Sequence, residues 1–503
     1  MVGTSHESEN YDRFTAKRIN FDQQENMSLQ LGSAQDQNAW SEGNQWTINS
    51  FFSRVNYTFA NKYVIEGTIR ADGSSRFDPD HRWGWFPGVN AAWRVGEEGF
   101  MKRLGWFEDL KVRASYGEMG NQSGIGLYDY IQLISLSNDY YPFGAGVKGQ
   151  MATSGNIIST SRTWETIQTT NVGFDFSTLN NRLYGSFDYF WKENKNMLIP
   201  KTYPSMLGAD APSTNSGHLS IHGWEISLGW RDQIKDFSYS VRFNISDAKN
   251  KVVDRVGSNL IQLGNNETPT GYPLNSYFGY EFDGIIQNEQ ELEAYKSRFS
   301  EGGIPGDLSV GDAMYKDLDG DGKLSVLGDG KEGSGDVKYL GDKNPRYNFG
   351  FNLSMAWKGF DLSAFIQGVG RRTMFLEGES RCPMPEAWYQ SAEYWYGKTW
   401  TPERTDAQYP AITLKDKRNY NYYVSTNTKF NVAYARLKNL QFGYTIPQTL
   451  TSKAGLQKVR VYFSGEDLFE VHNTPNGWDP EENSGSITSY PFTRNYSFGI
   501  NVV

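Results

Sequence analysis

Residues 237–246 read FSYSVRFNIS, and their alternation decides the fold. Phe237, Tyr239, Val241, Phe243 and Ile245 occupy the odd positions, while Ser238, Ser240, Arg242, Asn244 and Ser246 occupy the even ones. Successive side chains of a strand point to opposite faces, so this segment has one apolar and one polar face. Moving outward, the division recurs as Trp224, Ile226, Leu228 and Trp230 against Glu225, Ser227 and Arg231. It is found again in Leu110, Val112, Ala114 and Tyr116 against Lys111, Arg113 and Ser115. Two more copies are Tyr347, Phe349, Phe351, Leu353, Met355 and Trp357 against Asn348, Gly350, Asn352 and Ser354, and Val459, Val461 and Phe463 against Lys458, Arg460 and Ser464.

A soluble sandwich also alternates, so what joins the strands is the discriminating feature. Short connectors fall near 60–61, 177–181, 232–236, 358–359 and 447–453, with a longer one at 96–109. Between them lie long, polar, Gly-rich and aromatic segments at 15–44, 72–84, 118–162, 193–217, 254–343, 374–430 and 469–490. Strict alternation of short and long gathers every long connector at one end of the sheet. The expected fold is all-β: an antiparallel transmembrane β-barrel of about thirteen or fourteen strands, with short periplasmic turns, long extracellular loops, an apolar outer band and a polar bore. Lipid offers backbone polar groups no partner, which is why a membrane sheet must close on itself. Trp46, Trp83, Trp85, Trp164, Trp191, Trp224, Trp230 and Trp357 lie near strand ends and are expected to form interfacial girdles.

Composition agrees with this reading and narrows the function. Aromatics make up 15% of the 503 residues beside 52 Gly, yet mean hydropathy is −0.62, so many rings coexist with a polar average. No stretch approaches the roughly 18 consecutive apolar residues of a membrane-spanning helix. The net charge of −9 is spread along the chain with no basic stripe, which argues against a nucleic-acid partner. The single cysteine, Cys382, can form no internal disulfide. Five scattered His, with no H-E-x-x-H, G-x-S-x-G or phosphate-loop pattern, point to no catalytic residues and no enzyme. The start, MVGTSHESENYDRF, lacks the features of a secretory signal, so an exported chain of this kind is expected to be a fragment.

The segments LKVRASYGEMGNQ (110–122), WETIQTTNVGFDFSTLNNRLYGSFDY (164–189), GYPLNSYFGYEFDGI (271–285), GDLSVGDAMYKDLDGDG (306–322), YLGDKNPRYNFG (339–350), WTPERTDAQYP (400–410), YARLKNLQFGYTIP (434–447) and YSFGINVV (496–503) follow one another along the chain. Together they resemble the C-terminal half of SusC/RagA-type TonB-linked outer-membrane transporters. Their order along the chain is the specific part of the match. The resemblance implies a barrel of about 22 strands around a plug. Residues 1–503 would then be its C-terminal barrel portion, without the plug and first strands. It further implies a bacterial outer-membrane location, with TonB acting through the plug segment. A SusD-like surface lipoprotein would be the partner, outer-membrane lipid the surroundings, and a glycan or peptide the substrate. Rival readings are a siderophore or cobalamin receptor of the TonB-dependent class and a secreted, soluble β-rich carbohydrate-binding protein.

Two sets of loop residues carry candidate chemistry. Asp317, Asp319 and Asp321, followed by Gly322 and Lys323, follow the first half of a Ca²⁺-loop pattern, in which alternate carboxylates converge on a hard cation. The twelfth position is Gly328 in place of the usual Glu, leaving Asp329 as a substitute; the alternative is a solvated acidic turn. No cofactor is required beyond this possible structural ion. Aromatic clusters include Tyr140, Tyr141, Trp388, Trp395, Trp400 and Tyr422. Such rings suit packing between loops or against a lid protein first, and stacking on a sugar or peptide second.

Overall fold

The computed structural model describes the chain except residues 22–27, 34, 36, 138–141, 144–146, 149–150, 156, 201–205, 207–211, 256–267, 328–334, 386–389, 414–415, 483–484, 486–489 and 491. Among the described residues one sheet dominates, with fourteen strands in sequence order, each antiparallel to the next. They are β1 (Val2–Lys17), β2 (Asn38–Phe59), β3 (Tyr63–Ser74), β4 (Trp83–Arg94), β5 (Asp109–Asn121), β6 (Glu165–Thr178) and β7 (Leu183–Pro200). There follow β8 (Ser213–Ile234), β9 (Phe237–Asp254), β10 (Arg346–Trp357), β11 (Phe360–Arg371), β12 (Tyr434–Thr445), β13 (Val459–His472) and β14 (Asn495–Val502). The sheet is not closed: β1 and β14 are its edges and do not pair with each other.

The register confirms the two faces. Leu228 of β8 stands opposite Phe243, which stands opposite Phe351, so the apolar residues align across strands. Arg113 of β5 aligns with Gly173, Asp188, Glu225 and Ser246 on the other face. That face carries cross-strand ion pairs: Arg113 binds Asp188 at 2.5 Å and Asp175 at 3.0 Å, and Arg460 binds Asp361 through Nε at 2.9 Å. It is also the concave side. A cavity of about 920 Å³ is lined by inward residues of five successive strands, among them Arg231, Ser240, Ser354, Ser363 and Gln441. Glycine lets rings lie flat there: a Cβ on Gly229 would sit 2.3 Å from the Tyr184 ring.

The connectors alternate as expected. Lys358 and Gly359, with φ of 46° and 90°, form a two-residue hairpin whose left-handed backbone matches strand twist. The longer short-side connector is fastened by Glu98, which accepts from Lys62 Nζ at 2.8 Å, Tyr63 Oη at 2.7 Å and Trp93 Nε1 at 3.2 Å. These donors hold its carboxyl down to about 2.

Three expectations need correction. Strands run deeper into the supposed loops, β7 to Pro200 and β8 from Ser213, because the pattern inverts above the apolar band. There His222 and Ser220 continue the outer face while Leu219 and Ile221 turn inward, and Leu219 is buried. Trp164 is not a girdle residue but is buried against Phe77, Phe86 and Ile125, with Nε1 donating to the Arg82 carbonyl. Trp46 lies on the inner face under the Arg76 guanidinium, 5.2 Å away. Trp83, Trp85, Trp191 and Trp357 stay exposed on the outer face, joined by Trp93.

Candidate functional site at the rim

The connectors 255–345 and 372–433 rise from neighbouring strand pairs and fold into each other. Three small ribbons scaffold them: Ser276–Tyr280 with Val337–Asp342, Phe282–Ile285 with Ala313–Tyr315, and Thr373–Phe375 with Lys429–Asn431. A bridge from Tyr280 to Ser425 ties the two connectors together. Helix α1 (Glu289–Lys296) begins at Asn288, whose side chain accepts from the Glu291 N–H, and buries Leu292 and Tyr295. One apolar cluster gathers Tyr280, Ile286, Leu292, Tyr295, Met314, Tyr315 and Tyr420. A second gathers Met374, Leu376, Cys382, Trp395, Tyr409, Tyr422, Val432 and Trp478.

Buried tyrosines need partners, and these have them. The Tyr295 and Tyr420 hydroxyls meet at 2.9 Å, Tyr315 Oη donates to the Tyr420 carbonyl at 2.9 Å, and Tyr422 Oη donates to the Pro410 carbonyl at 3.0 Å. Burial pushes the hydroxyls of Tyr315, Tyr420 and Tyr422 well above the usual range, so they remain protonated donors. Glu281 joins two ribbons through Lys316 at 2.7 Å and through Lys338, and these donors hold its carboxyl down to about 2.

Of the aromatic candidates, Trp395, Trp400 and Tyr422 are buried, with Trp400 Nε1 donating to Gln287 Oε1 at 3.0 Å. Their rings pack the connectors and present no face to a solute. Tyr140, Tyr141 and Trp388 lie outside the described residues. Tyr490 and Tyr396, 91% and 89% exposed, are the most exposed aromatic side chains among the described residues. Only Gly397 beside Tyr396, with φ of 74°, marked a turn tip there.

The acidic loop folds around its own carboxylates. Asp317 accepts from the Gly320 and Gly322 N–H groups at 2.6 and 2.9 Å, and Asp319 from Asp321 and Gly335 at 3.2 and 2.9 Å. The third carboxylate to converge is Asp336, not Asp321: oxygens of Asp317, Asp319 and Asp336 lie within 4.8 Å of one another. Asp321 instead turns to the Lys323 N–H at 2.7 Å, which removes both from the cluster. Asp336 is fully buried and accepts from Leu318 and Ser325 N–H groups at 2.6 and 2.7 Å. Its burial outweighs those donors and holds the carboxyl above its ordinary range.

A family model described as "TonB dependent receptor-like, beta-barrel" matches residues 2–468. The chain belongs to this family. TonB-dependent receptor-like barrels reside in the outer membrane and are receptors, not enzymes. Among relatives of this barrel, TonB-dependent receptor P3 of Formosa agariphila is 32% identical over 488 residues, covering 91% of this chain and 46% of that protein. TonB-dependent receptor SusC of Bacteroides thetaiotaomicron is 28% identical over 498 residues, covering 92% and 44%. The chain thus spans about half the length of the curated relatives it matches. The RagAB peptide transporter structure superposes with a TM-score of 0.80 at 22% identity, covering 99% of this chain and 52% of that one, a likeness of fold.

Proposed function

We propose that the protein takes part in TonB-dependent uptake of a bulky hydrophilic nutrient, a glycan or oligosaccharide or else a peptide. In this reading a SusD-like surface lipoprotein sits over the rim and TonB acts through a plug segment. The observation that supports it most is the placement of both polar surfaces: a concave wall of paired charges below, and a folded module of long connectors above. Mixed charge on the wall suits a neutral or zwitterionic solute better than simple ion selection. Connector residues packed into two apolar clusters suit a lid protein, because a surface already folded binds without the entropic cost of being ordered. Tyr396 and Tyr490 supply exposed rings for that contact. Deleting the full gene and growing the strain on glycans and peptides as sole nutrients should abolish growth on one class. Undiminished growth on every member of both panels, with no lipoprotein co-purifying, would overturn the reading.

We further propose that Ca²⁺ orders the acidic loop, held by Asp317 and Asp319 with Asp336 as third carboxylate. Ca²⁺ is expected to protect residues 306–340 from limited proteolysis, and chelator to restore cleavage. Identical digestion patterns with and without chelator would remove the ion from the account.

A further inference from the structure

We infer that the outer face of β8 and β9, just above the aromatic girdle, binds the phosphorylated headgroup of an outer-leaflet glycolipid. The register builds the surface. Trp191 of β7 stands opposite His222 of β8, and His222 stands opposite Lys249 of β9. One pleat higher on the same face, Lys251 stands opposite Ser220. His222, Lys249 and Lys251 are all exposed, and none forms an ion pair or hydrogen bond among the described residues.

Height selects the ligand. Below this patch the outer face is apolar through Trp224, Ile226 and Leu228 on β8 and through Ile245 and Phe243 on β9. Tryptophan marks the level where acyl chains give way to headgroups. Cations one and two pleats above Trp224 therefore meet headgroups, neither hydrocarbon nor open water. This level lies at the end of the barrel that carries the long connectors, so the leaflet is the external one.

Charge completes the argument. Lys249 and Lys251 share one face of one strand about 7 Å apart, and like charges so placed repel unless an anion lies between them. The nearby acids are engaged or offset. Asp247, one pleat below Lys249 on the same face, attracts it but is buried and bound by Arg346, and Glu193 accepts from His218 at 2.6 Å and from Ser220 at 2.7 Å. Asp254, paired in register with His218, lies beyond Lys251 on β9. A phosphate monoester or diester at the bilayer surface supplies the missing negative charge to two ammonium groups and one imidazole, with its sugar resting on Trp191.

The test uses the full-length protein purified in an uncharged detergent, with lipid A as probe and native mass spectrometry as readout. Wild type should retain lipid A in preference to its dephosphorylated form. Lys249→Gln with Lys251→Gln should weaken that retention by about tenfold or more. Arg242→Gln, which removes a cation from the concave face, should retain lipid A as wild type does. Heat-modifiable migration on gels verifies that each variant is folded. Equal retention by the double variant, or no preference for phosphorylated lipid, would overturn the inference. So would displacement by an equal concentration of inorganic pyrophosphate, which would make soluble phosphate the ligand. Growth on a nutrient does not enter the readout, so failure here and failure of the uptake reading are separable.

Discussion

Arg436→Ala should free the last rim connector and lower stability by about 3–5 kcal/mol, the usual cost of leaving buried charges without their partner. Arg436 of β12 is fully buried on the inner wall. Its Nε donates to Glu470 at 2.9 Å and its Nη2 to Asp479 at 2.6 Å, while Phe492 covers the guanidinium at 4.2 Å. Nη1 lies 3.1 Å from Glu481, close enough for attraction but off hydrogen-bonding geometry. Asp479, Glu481 and Phe492 all belong to the connector 473–494. Arg372 grips the same segment, donating to the Pro480 and Glu482 carbonyls at 2.8 Å each. Without Arg436, several carboxylates would crowd a largely buried site with Lys438 and Arg494 beside them. Urea titration, with proteolysis mapped to 473–494, measures the effect. Arg436→Lys keeps the charge but loses the planar fork, so its midpoint should fall between the two. A wild-type midpoint and cleavage pattern in the Ala variant would show that the cage does not hold the connector.

Phe174→Arg should destabilise the protein in lipid by about 2–4 kcal/mol, whereas Ser115→Arg should stay within about 1 kcal/mol of wild type. Phe174 points outward from β6 between Val112 and Phe187, with the Phe187 ring 5.7 Å away. An arginine there would place its charge against acyl chains. Ser115 lines an inner-wall cavity of about 330 Å³ with Asn56, Glu66, Asn90, Lys111, Arg113 and Asn171, where a guanidinium meets polar groups of both signs and no acyl chain. Folding titrations in vesicles give both numbers. Equal penalties at the two positions would mean that the faces have been assigned the wrong way round.

The parts of the fold that were legible are those where one rule governs a whole segment. From Phe237 to Ile245 lipid lies on one side and polar groups on the other, so period-2 alternation survives in the text of the sequence. Beyond Trp224 both sides are wet or covered by connectors, the pattern inverts, and strand ends were placed too early. The rim was less legible because its cores are assembled from distant pieces. Apart from the turn-forming Gly397 beside the exposed Tyr396, nothing local distinguishes that residue from Tyr422, whose hydroxyl is buried against the Pro410 carbonyl. Asp336 falls outside the acidic motif and reaches Asp317 only because the Ser276–Tyr280 and Val337–Asp342 ribbon brings the connector back.

Strand length has a consequence of its own. A 22-residue strand such as β8 measures about 70 Å, while the greasy belt of a barrel is about 25 Å tall even before allowing for tilt. Much of β7, β8 and β9 must therefore stand clear of the bilayer as a palisade, raising the mouth of the conduit above the lipid surface. A large cargo would be gripped well outside the membrane and lowered through a shaft. Shortening those three strands in step would bring the entrance down without touching a single lipid-facing residue.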